Sequence, residues 1–185
     1  GNDSNDGSMD NPWRTLGKAS ESLEAGDSVI VRGGEYSEPG TGLRFRPAIT
    51  PAASGEEGHP IIYRSYPEET VNIVNNGYGP LIGTAGKNYV IFDGFIVFEG
   101  NSYINDPENY DTGAVTVIGS DNVVIKNCIV EGEYVATENN HDGIRVEDST
   151  RITLRNNIIR GVDGDSFNTS GIKLYYVRDS VFEHN

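Results

Sequence analysis

Gly113-Ala-Val-Thr-Val-Ile-Gly-Ser-Asp-Asn-Val-Val-Ile-Lys-Asn-Cys-Ile-Val-Glu-Gly132 sets out a pattern that the chain then repeats. Gly143-Ile-Arg-Val-Glu-Asp-Ser-Thr-Arg-Ile-Thr-Leu-Arg-Asn-Asn-Ile-Ile-Arg-Gly161 is a second copy, and Gly171-Ile-Lys-Leu-Tyr-Tyr-Val-Arg-Asp-Ser-Val-Phe-Glu-His-Asn185 a third. Self-similarity at an interval of roughly 20 to 50 residues is the signature of a repeat architecture. Aligning Asn88, Asn122, Arg151 and Asp179 extends the pattern to four strand-turn-strand units, 34, 29 and 28 residues apart. Ile91, Ile125, Leu154 and Phe182 then share one column, which should point inward and stack. Asp93, Asn127, Asn156 and His184 form a second column, with Gly94, Cys128, Asn157 and Asn185 beside it. Asn and Gly recur at one turn because both tolerate left-handed backbone angles. Asn side chains stacked rung above rung can also hydrogen-bond as a ladder.

Outward from this stretch the texture is the same. Short apolar runs at Ser28–Arg32, Pro60–Tyr66, Val71–Val74, Pro80–Ile82, Tyr89–Phe92 and Phe95–Phe98 are separated by Gly, Asn, Asp and Pro, with no helical period between them. Strands without intervening helices predict an all-β fold. The one helix is expected over Trp13–Ala25, with Asn11 as its cap, Pro12 at the first position and Gly26 as its stop. Leu16, Ala19 and Leu23 would cover the exposed end of the strand stack. A repeat near 28 residues with three short strands is too short for a propeller blade and lacks the leucine-rich frame. It fits a parallel β-helix of about five to six coils with an N-terminal capping helix.

Composition bounds the function. The chain has 185 residues, enough for about one domain, and carries 28 acidic against 14 basic side chains, a net charge of −14. That balance argues against nucleic acid, whose phosphates are bound by clustered Lys and Arg. The single cysteine, Cys128, excludes an internal disulfide framework, and no run is long and apolar enough to span a membrane. Residues 1–10 are small, polar and acidic and are expected to be a disordered linker. Residues 11–185 read as one β-helix domain whose third copy stops in mid-coil. This suggests truncation at the C-terminal end and self-association through the uncapped coil. An extracellular, cell-surface or periplasmic location is expected, with the signal segment outside the sequence.

His59-Pro-Ile-Ile-Tyr-Arg-Ser-Tyr-Pro67, Lys87-Asn-Tyr-Val-Ile-Phe-Asp-Gly94 and Ala25-Gly-Asp-Ser-Val-Ile-Val-Arg-Gly-Gly-Glu-Tyr36 resemble the early coils of right-handed parallel β-helix proteins of the pectate-lyase-like superfamily, closest to its chondroitinase B and alginate-lyase branch. The Lys-Ser and Arg-His-Gly patches of that branch do not occur here. The resemblance implies an exported polysaccharide lyase acting by β-elimination on an acidic, uronate-containing polysaccharide. A non-catalytic carbohydrate-binding or surface-adhesion β-helix, or an inactive structural fragment of a larger enzyme, is the alternative.

Strand alternation counted back from the inward columns places Thr116, Arg145 and Lys173 outward on successive rungs, about 4.8 Å apart. Glu147 and Tyr175 lie two positions further on. The long turns end beside this face, bringing His141, Asp142 and Asn168 near it. β-Elimination needs a cation against the substrate carboxylate and a base for the C5 proton. Lys173, Arg145 and His141 are the catalytic candidates, and Thr116, Asp142, Glu147, Tyr175 and Asn168 the substrate-binding ones. Asp163 and Asp165, with Asn168, place oxygen ligands in one turn and suggest Ca2+, although the full EF-hand pattern is missing.

Overall fold

The computed structural model describes residues 1–39, 41, 46–77, 79–98, 111–132, 134–135, 140–164 and 169–185, without the side chains of 111, 112, 134, 135 and 140. Every strand pair is parallel, in three main sheets. The first runs β1 (Ser28–Val31), β3 (Ile61–Ser65), β6 (Val90–Asp93), β9 (Asp121–Lys126), β13 (Thr150–Arg155) and β17 (Val181–Glu183). The second runs β2 (Gly34–Glu38), β4 (Val71–Asn75), β7 (Ile96–Phe98), β10 (Ile129–Glu131) and β14 (Ile158–Arg160). The third runs β5 (Ile82–Gly83), β8 (Asp111–Ile118), β12 (Asn140–Glu147) and β16 (Ser170–Tyr175). A two-stranded ribbon joins β11 (Tyr134–Val135) to β15 (Asp163–Gly164).

Consecutive strands lie in different sheets and each pairs with its counterpart one repeat away, which makes the chain a parallel β-helix. Three coils carry a strand on every face: β5-β6-β7, β8-β9-β10 and β12-β13-β14. The stack is thus about three full turns, fewer than the five to six expected from the repeat count. The coil of β3 and β4 reaches the third face only through the isolated bridge Ile49–Ile82, and the outermost coils pair on two faces.

The inward column is continuous. Tyr63, Phe92, Ile125, Leu154 and Phe182 are partners on successive rungs of the first sheet, and the first four are at most 1% exposed. Tyr63 and Phe92 stack with ring centroids 4.9 Å apart. The aligned first unit therefore slips by one residue: Phe92, not Ile91, pairs with Ile125. The reason lies in the preceding turn. Tyr89 takes the left-handed conformation there (φ 53°), as Asn122, Arg151 and Asp179 do (φ 54°, 54° and 50°). Asn88 instead turns its side-chain oxygen to the Asp121 N–H at 2.9 Å.

Three ladders close the turns. Asn127 and Asn156 adopt φ of 54° and 55°, and Asn127 Nδ2 donates to Asp93 Oδ1 at 2.7 Å. Inside, Asn157 accepts from the Cys128 N–H at 3.0 Å and donates to the Ile125 carbonyl at 3.0 Å and to Asn185 Oδ1 at 2.8 Å. At the opposite corner Thr84, Ser120 and Ser149 form a hydroxyl ladder, with 2.7 Å between Thr84 Oγ1 and Ser120 Oγ. Such side chains satisfy backbone groups that a turn would otherwise bury without partners. Cys128 occupies the interior column fully buried, and burial pushes its thiol up to about 11, so it packs as an apolar residue.

The helix is shorter than expected, Leu16–Ser22. Thr15 is its cap, accepting from the Lys18 N–H at 3.2 Å. Asn11 and Pro12 lie outside it because residues 1–14 fold back upon its start. Asp3 accepts from the backbone of Arg14 and Thr15, both at 2.9 Å, and Trp13 Nε1 donates to the Asn5 carbonyl at 2.8 Å. Residues 1–10, expected as a disordered linker, are therefore tied down by Asp3 and Asn5. Leu16, Ala19 and Leu23 are buried as expected.

Candidate active site

Parallel pairing sets Thr116, Arg145 and Lys173 side by side on β8, β12 and β16. Val117, Val146 and Leu174 form the adjacent column, and Val117 and Val146 lie in the core. The outer column lies as the alternation predicts, but away from the core does not here mean in solvent. Thr116 is 0% and Arg145 2% exposed.

Arg145 is the centre of the cluster. Its Nη1 donates to Asp142 Oδ2 at 2.8 Å, and its Nε and Nη2 meet Glu147 Oε1. The Tyr175 ring on the next rung lies 5.0 Å from the guanidinium carbon, within cation–π range. Strict alternation would put positions 142 and 145 on opposite faces, so the strand changes phase between them. Gly143 permits that change: a Cβ there would meet Ile159 Cγ2 at 2.5 Å and the Gly171 carbonyl at 2.7 Å. Lys173 Nζ stands 4.0 Å from Asp142 Oδ1 and 3.4 Å from Ser170 Oγ.

Burial dominates the electrostatics. Desolvation pushes the Asp142 carboxyl up to about 6, despite the opposing pull of Arg145 and, more weakly, Lys173. Desolvation also works against the Arg145 charge, but Glu147 and then Asp142 outweigh it, so its pKa is raised and it stays a cation. The four groups thus form a buried, nearly neutral set when Asp142 is ionised, and a set with one excess positive charge when Asp142 is protonated.

The structure brings together Thr116, Asp142, Arg145, Glu147, Lys173 and Tyr175. His141, 0% exposed, directly precedes Asp142 on β12. Asp163 does not join them: it pairs with Tyr134 in the ribbon, and its Oδ1 accepts from the Gly164 N–H at 2.8 Å. Asp165 and Asn168 lie outside the described residues. Among the described residues no three His, Cys, Asp or Glu side chains gather as a metal site, and no helix is long and apolar enough to cross a membrane. Sequence reasoning missed Ser170 beside Lys173 and the phase change at Gly143. The glycines at 113, 143 and 171, on three successive rungs, were the available signal for the second.

Residues 95–185 match the family model described as a right handed beta helix region. The chain is a right-handed parallel β-helix. Residues 1–59 of this β-helix match a second family, a protein of unknown function (DUF1565). The β-helix is 28% identical to the uncharacterized protein YwoF of Bacillus subtilis (strain 168), over 97% of this chain and 45% of that protein. Among solved structures it is similar to a rhamnogalacturonan lyase, with a TM-score of 0.57 and 16% identity over 96% of this chain and 54% of the other. That likeness shows the fold alone. The chain spans about half the length of each of these two proteins.

Proposed function

We propose that this β-helix is an exported lyase-like protein, or part of one, that cleaves an acidic polysaccharide by β-elimination at the Thr116–Arg145–Lys173 column. The observation that carries the reading is two basic side chains in register on adjacent rungs, on a fold shared with a rhamnogalacturonan lyase. In the reaction a base removes the proton at C5 of a uronate, the electron pair forms the C4–C5 double bond, and the C4–O bond breaks. The departing oxygen takes a proton. A cation beside the carboxylate stabilises the enolate-like charge that develops.

The column divides these tasks. Lys173, with 16% of its side chain exposed, is the cation that meets the substrate carboxylate. Arg145, 2% exposed and bonded to Asp142 and Glu147, is a positioning residue that holds those carboxylates and the Tyr175 ring. His141 is the candidate base. Any Ca2+ would be held by Asp163 together with Asp165, which lies outside the described residues.

The test is absorbance of the unsaturated product from polygalacturonate, rhamnogalacturonan, alginate and chondroitin or dermatan sulfate, each with and without Ca2+. A rise on one of them that Lys173→Ala abolishes supports the reading, and no rise on any overturns it. The burial of Arg145 favours one second reading, a β-helix that binds such polymers without cleaving them. Retention on the immobilised polymer without product would mark that case.

A further inference from the structure

Among the described residues, the large apolar side chains exposed outside the last two coils are Met9 (81%), Ile30 (44%) and Tyr66 (37%). All three line one cavity at the other end of the molecule from Lys173, enclosed by the folded-back N-terminal residues, the helix and the outer side of β1. Its volume is about 530 Å³, within the range of about 300–1,000 Å³ usual for small-molecule clefts. The buried Leu16, Leu23 and Val31 contribute to its apolar lining. Trp13, Tyr36 and Tyr66 add three aromatic rings to its walls.

Polar groups and charge narrow the ligand. The charged side chains lining the cavity are Arg14, Asp27 and Arg32. Arg32 is held by Glu69, Nη2 to Oε1 at 2.6 Å, and lies 4.7 Å over the Tyr66 ring. With Glu69 counted, these charges cancel, in a chain of net charge −14. A neutral cleft with flat aromatic walls and polar groups at Ser28, Asp27 and Arg32 suits a molecule with one apolar face and a hydroxylated edge. A pyranose ring is such a molecule, since its axial C–H bonds pack on aromatic rings while its hydroxyls hydrogen-bond. We propose that this cavity is a second, non-catalytic binding site for a neutral sugar unit, formed by Trp13, Ile30, Tyr36 and Tyr66. It is separate from the Lys173 column and does not depend on the lyase reading.

Trp13 is the only tryptophan in the chain, so its fluorescence reports on this cavity directly. Titration with neutral gluco-, galacto- and manno-oligosaccharides should give a saturable change with at least one of them. Tyr66→Ala and Ile30→Ser, both at partly exposed positions, should weaken binding by about tenfold, as expected for a lost packed contact. Lys173→Ala should leave it unchanged. Thermal melting of each variant separates loss of the cavity from loss of the fold. The proposal is overturned if no neutral oligosaccharide changes Trp13 emission. It is equally overturned if only 8-anilinonaphthalene-1-sulfonate binds, which marks an apolar contact surface, or if oligogalacturonate alone binds, which marks an extension of the acidic-polymer site.

Discussion

The Asn157 column and the Arg145 column are both produced by parallel stacking, yet their chemistry diverges. At the interior turn Cys128, Asn157 and Asn185 occupy equivalent places, and each Asn binds the backbone of the rung before it. On the third sheet Thr116, Arg145 and Lys173 are equivalent in position but differ in type, a hydroxyl followed by two cations of different shape. A column that repeats a residue type serves the coil, because every rung presents the same unsatisfied backbone groups. A column that changes type at every rung has no such shared need, and its members interact across rungs with unlike partners.

That contrast can be broken most forcefully at Arg145. Arg145→Met leaves the Asp142 carboxylate buried without its guanidinium, and should lower stability by about 3–5 kcal/mol at pH 7. Urea denaturation checks this, and the loss should shrink at pH 5, where Asp142 takes up a proton. Asp142 itself gives the next effect. Its folded value of about 6 lies above the ordinary 3.8, so the native state holds its proton more tightly. This contribution is fully present below pH 3.8 and is lost as pH rises through 6. Relative to Asp142→Asn, the wild-type chain should therefore lose about 2 kcal/mol between pH 4 and pH 8. A flat difference across that range would show that Asp142 is solvated.

Asn157→Ala tests the repeating column. It removes the partners of the Cys128 N–H and the Ile125 carbonyl, for an expected cost of about 1–3 kcal/mol that does not vary with pH. The smallest effect belongs to the rung-to-rung pair Arg151–Asp121, whose Arg side chain is 53% exposed. Arg151→Ala should change stability by less than about 1 kcal/mol, and by less still at high salt.

Much of this fold was legible because parallel stacking writes the same instruction on each rung. Asn122, Arg151 and Asp179 align in sequence and share one backbone conformation in space, and the registered pairs Ile125–Leu154 and Leu154–Phe182 are true neighbours. The Asn88 unit was misplaced by one residue because Asn is a good turn residue in either position, and only the pairing of Phe92 with Ile125 decides between them. β2 was hidden because the apolar run Ser28–Arg32 is followed directly by Gly33-Gly34, and separating glycines mark the ends of other runs. Gly34 has φ 149°, an angle open to glycine, and the chain continues from it directly into a strand. At the site, sequence gave the column but not its burial. Alternation says which side chains leave the core and nothing about what lies over them. It also fails where a glycine lets the strand change phase, which is how Asp142 reaches Arg145.

The unequal spacing of the repeats has a further consequence. From Tyr89 to Asn122 the chain takes 33 residues, and from Asn122 to Arg151 it takes 29, yet the strands that follow are in perfect register. The excess length is absorbed between the second and third sheets and never reaches the stacked columns. Connections at that corner can thus lengthen, shorten or be exchanged one coil at a time while the scaffold stays still. A molecule built this way can change what it recognises by editing a single segment, leaving every other coil as it was.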